Sequence, residues 1–305
     1  MSLIVALLLV VLLGFAAMAV DVSMMFAEQA QLRNGADAAA LAIAQTCAKY
    51  PTNSSCSNTG PLAANLANSN ANDKLSNVKS IDLTTPNSVT VAVGAQQAGH
   101  TPNQVSLFFA RALGISTAEV TAKSTAVWGR PGKGLKILPL ALALCKLDIS
   151  PLTGQGADQV LSLDKGCGRV PGGFGWIDNP GGTNCTVNVT AGQASDTGIW
   201  FSVNTGASAP QLCSANDFKQ MNNQTVLFPL YDLAAGTGTS AKYYVTGFAA
   251  FFVTGYHFSN IQWPEAGGVA NKSITGHFMK FVSLSQAFQM GPAADYQASI
   301  VRLTL

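Results

Sequence analysis

The chain has 305 residues, a formal net charge of +2, and 10% charged against 48% hydrophobic residues. That hydrophobic content excludes disorder for want of a core. A near-balanced charge with no basic block excludes the electrostatic footprint of a nucleic-acid binder. The length suits one large or two modest domains.

Residues 3–20 carry no charged side chain and consist mostly of Leu, Val, Ile and Ala. A helix of roughly 20 apolar residues crosses a hydrocarbon core, so a membrane span is expected at the N-terminus. The helical pattern continues beyond it. Val22, Met25, Phe26, Ala30, Leu32, Ala36, Ala40, Leu41 and Ile43 recur near a 3.6-residue period, with Asp21, Glu28, Gln29, Arg33, Asn34 and Asp37 on the other face. One helix is therefore expected to about residue 48, roughly 70 Å long at 1.5 Å per residue, ending before Pro51 and free to bend at Gly35. Asp21 is expected to meet interfacial water or a neighbouring subunit, because an acid beside a span is costly unless it has a use. Ala17-Met18-Ala19 also fits an export-signal cleavage site, but the periodicity running through that point favours a retained anchor.

The six cysteines, Cys47, Cys56, Cys145, Cys167, Cys185 and Cys213, form no CxxC pair and no zinc-module spacing. An even count behind an export signal reads as disulfides on the oxidising side, which places the head outside. Cys47–Cys56, across the loop with Pro51, Asn53 and Ser54, is the expected first pair. Cys167–Cys185 with Cys145–Cys213 is the expected arrangement of the others, among connectivities that the sequence leaves open.

The fold class expected is α+β, with a long N-terminal helix over residues 1–50, a small α+β head over 51–134 and a β-rich, sandwich-like domain over 135–305. In the head, a weak helix is expected over 61–74 and a hairpin of strands over 78–83 and 88–93, with Val89, Val91 and Val93 on one face. A short amphipathic helix over 104–113, closed by Gly114, and a strand over 119–128 complete it. Gly129-Arg130-Pro131-Gly132-Lys133-Gly134 reads as a linker. In the β-rich domain, residues 242–258 are apolar on both faces and are expected to form a central strand, bent at Gly247 or Gly255.

No constellation points to catalysis, a metal or a cofactor. Asp21-Val22-Ser23 begins a metal-binding DxSxS pattern, but Met25 stands at its fifth position. His257 and His277 fall on neighbouring expected strands with no Asp, Glu or Cys beside them in sequence, and no serine sits in a GxSxG elbow. Aromatic residues of the β-rich part are expected in the core. Phe174 and Trp176 are the exception, since their glycine-rich surroundings mark a surface-binding loop.

The run Leu12-Leu13-Gly14-Phe15-Ala16-Ala17-Met18-Ala19-Val20-Asp21-Val22, followed by Ala30-Gln31-Leu32-Arg33-Asn34-Gly35-Ala36-Asp37-Ala38-Ala39-Ala40-Leu41-Ala42, resembles the N-terminal region of TadE/TadG-like proteins of the bacterial Flp (tight adherence) pilus. Gly172-Gly173-Phe174-Gly175-Trp176-Ile177-Asp178 and Gly247-Phe248-Ala249-Ala250-Phe251 look like actinobacterial Tad-type proteins. The resemblance implies a non-enzymatic, membrane-anchored minor pilin or assembly protein. Its partners would be other pilus subunits, reached through Asp21, Val22, Met25, Phe26 and Leu32, together with the membrane and copies of itself in an oligomer or filament. Val5 stands where processed major pilins carry Glu, which argues against a major subunit. The competing expectation is a surface or tip adhesin that binds glycan or a host surface through Phe174 and Trp176.

Overall fold

Leu, Val and Ala fill the N-terminal half of a single helix, α1 (Ser2–Lys49), which runs for 48 residues, about 72 Å at 1.5 Å per residue. The computed structural model describes residues 2–148, 156–163, 166–167, 170, 172–192, 200–237 and 240–304. The chain separates into two compact units, Met1–Trp128 with Val301–Leu305, and Gly129–Ile300.

In the first unit α1 is followed by α2 (Leu62–Asn70), β1 (Ser76–Asp82), β2 (Ser88–Ala95), β3 (Gln104–Ser106), a short 3-10 helix (Ala110–Leu113), β4 (Thr117–Glu119) and β5 (Thr121–Gly129). β1, β2 and β5 form an antiparallel sheet in that order. Val89, Val91, Val93 and Ala95 of β2 are fully buried, and alternate residues of a strand share one face. The C-terminal half of α1 packs on β2 and α2. It does so through Leu32, Ala36, Ala39, Ala40, Ile43, Ala44 and Cys47, all buried at helical spacing. Alanine at most of these positions brings the helix close to its neighbours. Gly35 also permits a close approach: a Cβ there would sit 3.0 Å from the Cα of Ala67 on α2. The residue expected to let the helix bend instead lets a second helix approach, and α1 is continuous through it.

Glu28 lies on this inner side of α1. Burial, and then the Asp73 carboxylate, push its carboxyl group above the usual range. Raising an acid's pKa on folding gives stability that is present at low pH and lost as pH rises through the folded value. Glu28→Gln is therefore expected to melt above the wild type at pH 7 and level with it at pH 4, a comparison that thermal unfolding by circular dichroism reads directly.

The second unit is built from β6 (Pro131–Ile137), β7 (Leu140–Ala143), β8 (Gln159–Ser162), β9 (Phe174–Ile177), β10 (Val187–Thr190), β11 (Trp200–Asn204), α3 (Ala215–Phe218), β12 (Thr225–Ala235), β13 (Lys242–His257), β14 (Gln262–Trp263), β15 (Ser273–Phe278), β16 (Phe281–Ser283), β17 (Phe288–Met290) and the first residues of β18 (Ala298–Thr304). Its largest sheet has the order β11-β9-β7-β12-β13-β15-β8, and β11 also pairs with β13. That extra pairing closes β11, β9, β7, β12 and β13 into a small ring, so the β-rich domain is a curled sheet. β6 lies between β10 and β17 in a separate sheet. Residues 298–300 of β18 run parallel to β16. The rest of β18 belongs to the first unit, where the Thr304 hydroxyl donates to the Thr125 carbonyl.

β13 is central and buried on both faces, as its apolar sequence predicts. Phe251, Val253 and Tyr256 enter one aromatic core with Phe174, Trp176, Phe218, Phe258 and Phe278. Tyr243, Val245 and Phe248 enter another with Ile177, Tyr231 and Ile300. The register of β13 shifts against β12 between Val245 and Gly247, and against β15 between Val253 and Gly255. Both glycines expected to bend the strand thus lie at its irregularities.

Two expectations are corrected. Residues 129–134 are not a linker, because Pro131 begins β6, whose backbone pairs with β10 and β17. Residues 104–113 are not one helix, because Val105 and Ser106 pair with Ala118 and Thr117 and only Ala110–Leu113 coils.

Candidate functional site

The residues with a specific signal lie on α1, and the helix divides by what covers it. Its most apolar 18-residue window has a mean hydropathy of 2.3, and only 6% of that window is buried inside the protein. A core helix of similar composition would be covered, so this surface is suited to hydrocarbon. From Leu32 onward the inner face belongs to the first unit's own core. The transition falls at residues 21–29.

Asp21 marks that transition, and within its own chain it is already engaged. It is 3% exposed and accepts hydrogen bonds from the backbone of the loop between β3 and β4. Phe108 N–H donates to Oδ1 at 2.9 Å, Phe109 N–H to Oδ2 at 2.9 Å and to Oδ1 at 3.2 Å, and Ala110 N–H to Oδ2 at 2.6 Å. These N–H groups open the 3-10 turn and have no partner within it, so the carboxylate acts as its N-terminal cap from a distant part of the chain. Leu107 N–H donates to the Ser116 carbonyl, and Gln97 Oε1 receives both the N–H and the hydroxyl of Ser106. The loop is thus fixed at its base and at its tip.

Beside Asp21, Val22, Met25, Phe26 and Gln29 line a shallow cleft of about 200 Å³ with Glu119, Val120 and Thr121 of the same unit. Phe26 is 66% exposed, Val22 and Met24 are also exposed, and Met25 is half-buried. Leu32 does not belong to this exposed set. It is 2% exposed, enclosed by its own unit because the helix rotates its inner face onto α2 and β2 there. Sequence periodicity groups Leu32 with Val22 and Phe26 but cannot tell which apolar residues the head covers.

Two other expectations are corrected. Phe174 and Trp176 form no surface loop: they sit in β9 and both are 0% exposed. Trp176 packs edge-on against Phe174, Phe218 and Phe258, with ring centroids 6.2, 5.9 and 4.9 Å away. The adhesin reading loses the residues on which it rested. The disulfides are Cys47–Cys56, as expected, and Cys145–Cys167 and Cys185–Cys213. Cys185 and Cys213 both enter the first aromatic core, while Cys145 follows β7 in the turn facing the Cys167–Val170 bridge. His257 and His277 do lie on neighbouring strands, and β13 and β15 pair His277 with Phe252 and His257 with Ser273. His277 Nδ1 lies 2.7 Å from Asp158 Oδ1, its ring stacked on Phe252. His257 Nδ1 lies 3.2 Å from the Val269 carbonyl. Among the described residues no group of three or more His, Cys, Asp or Glu is placed to hold a metal.

The partners of Asp21 that the sequence leaves out are those of the loop, Phe108, Phe109 and Ala110, whose N–H groups make it a latch. A pair of adjacent phenylalanines in a segment with no other core role is the one trace of them in the sequence.

No curated protein and no solved structure matches the chain significantly. A family model described as putative Flp pilus-assembly TadE/G-like matches residues 1–45. That segment ends inside α1, and it contains the whole apolar run, Asp21 and the exposed patch around Phe26. Over its first 45 residues the chain is therefore similar to the putative Flp pilus-assembly TadE/G-like family, and the rest lies beyond the matched segment.

Proposed function

We propose that the protein is a non-catalytic structural component of a Tad/Flp-type pilus, a minor pilin or a membrane-anchored assembly or tip component. α1 sits in the cell membrane or in a filament core, and the disulfide-bonded remainder is displayed outside the cell. Other pilus subunits, and further copies of this chain, dock on the helix through Val22, Met25 and Phe26. The observation that carries this reading is that α1 remains uncovered and apolar past the end of the charge-free run, within the segment matching the pilus-assembly family. An isolated soluble head gains nothing from a phenylalanine two-thirds exposed beside an exposed valine, whereas a helix–helix contact does.

Phe26→Asp tests this reading. Because Phe26 is exposed, the variant should keep all three disulfides and a wild-type near-ultraviolet circular dichroism spectrum. Burying an unpaired carboxylate in an apolar contact costs several kcal/mol, so the variant should be lost from pili sheared off the cell surface. Filaments carrying the variant at the wild-type level would refute the role of this patch.

A further inference from the structure

We propose that the loop between β3 and β4 is a membrane wedge, which inserts into the outer lipid leaflet beside α1. The inference rests on the reading of α1 as a membrane helix, and lipid acyl chains are the occupant to which it commits. The tip exposes Phe108 (76%), Leu113 (71%) and Ile115 (55%), with Phe109 partly exposed beside them. Four large apolar side chains on one short loop are unusual on a surface facing water.

Their position identifies what covers them. Phe109, Ala112 and Leu113 line an apolar groove with Val11, Gly14, Phe15, Ala17 and Met18 of α1. These helix residues lie three to ten positions before Asp21, which at 1.5 Å per residue is about 5–15 Å toward the N-terminus. The tip therefore runs back along the charge-free span, across about half of a hydrocarbon core roughly 30 Å thick. Any bilayer that holds residues 3–20 also holds the tip.

Entering lipid requires that backbone polar groups be satisfied within the protein, and seven N–H groups of the loop are. The N–H groups of Leu107, Ala112, Gly114 and Ile115 donate to Ser116, Phe109, Arg111 and Ala110 carbonyls, and those of Phe108, Phe109 and Ala110 donate to Asp21. Asp21 thereby has a task that justifies an acid at the membrane boundary: it caps the donors that would otherwise be carried into hydrocarbon. Arg111, with Val20 and Met24, lines a second groove at the level of Asp21. From there its guanidinium reaches the phospholipid phosphates while its stem lies along apolar surface.

The test uses the full chain in vesicles of phosphatidylcholine and phosphatidylglycerol. All six native cysteines are in disulfides, so single nitroxide labels are introduced through Leu113→Cys, Phe108→Cys, Leu12→Cys as a marker of the span, and Ser80→Cys as an aqueous reference. The wedge predicts that labels at 113 and 108 behave like the label at 12, accessible to oxygen and protected from an aqueous nickel chelate. Labels at 113 and 108 that are open to nickel, with the label at 12 in lipid, would overturn the wedge and leave the membrane helix standing. Protection from both reagents would place the tip against protein and would also overturn it. Nickel access at 12 as well would remove the membrane helix and the wedge together. If the Leu113→Cys chain loses its native disulfides, Ile115→Cys supplies the same reading.

Discussion

Trp176→Ala should destabilise the Gly129–Ile300 unit by about 3–5 kcal/mol, the range for emptying a fully buried aromatic site. Trp176 is 0% exposed, and three rings meet its faces and edges, those of Phe174, Phe218 and Phe258. Phe218 belongs to α3 and Phe258 follows β13, so the indole holds one short helix and two strands in register at once. The lost area and the lost edge-to-face contacts add. For a unit of this size the loss corresponds to a fall of roughly 10 °C or more in melting temperature, read in the full chain from near-ultraviolet circular dichroism. A variant that melts within a degree or two of the wild type would mean the indole is not enclosed. The same result would reopen the reading of a surface loop.

The second large effect is expected at Asp21. Asp21→Asn keeps one acceptor oxygen but turns an amide NH₂ toward Phe109 and Ala110, whose N–H groups then face donors instead of Oδ2. Losing a charge-assisted acceptor while its donors remain partly buried costs about 2 kcal/mol. Amide hydrogen exchange at 108–110 in the detergent-solubilised full chain should then accelerate about thirtyfold, since each 1.4 kcal/mol is tenfold. Asp21→Ala removes both oxygens and should exceed this. The exchange of β2 amides, deep in the same unit, should be unchanged, which separates release of the loop from unfolding of the unit. Equal protection of the loop in the wild type and the Asn variant would mean that the latch is not closed.

The parts of the fold that were legible in the sequence are those set by local periodicity. The charge-free run and its 3.6-residue continuation specify α1, alternation specifies the β1–β2 hairpin, and an unbroken apolar run specifies β13. What was not legible depends on partners far along the chain. Residues 104–113 have helical spacing, yet Val105 and Ser106 do better pairing with Ala118 and Thr117, and the turn after them is capped by an acid 87 to 89 residues away. No local rule contains that carboxylate. The glycines around Trp176 misled for a related reason. Gly175 is small because the Tyr243 ring lies over it, where a Cβ would fall 2.5 Å from Cε2. It marks a close approach inside the core, although its composition resembles a loop. Likewise Leu32 and Phe26 share the helical pattern but not the same environment, because one is covered by α2 and β2 and the other is not.

The central claim, that α1 works by packing on other pilus components through the patch beside Asp21, is tested most directly by a photo-reactive residue substituted for Phe26 in piliated cells. Irradiation should yield adducts whose partner, identified by mass spectrometry, is a pilus subunit or a second copy of this chain, and the adducts should vanish when the Val22→Asp change is added. Adducts formed only with lipid, or none at all while the protein is present in sheared filaments, would contradict it.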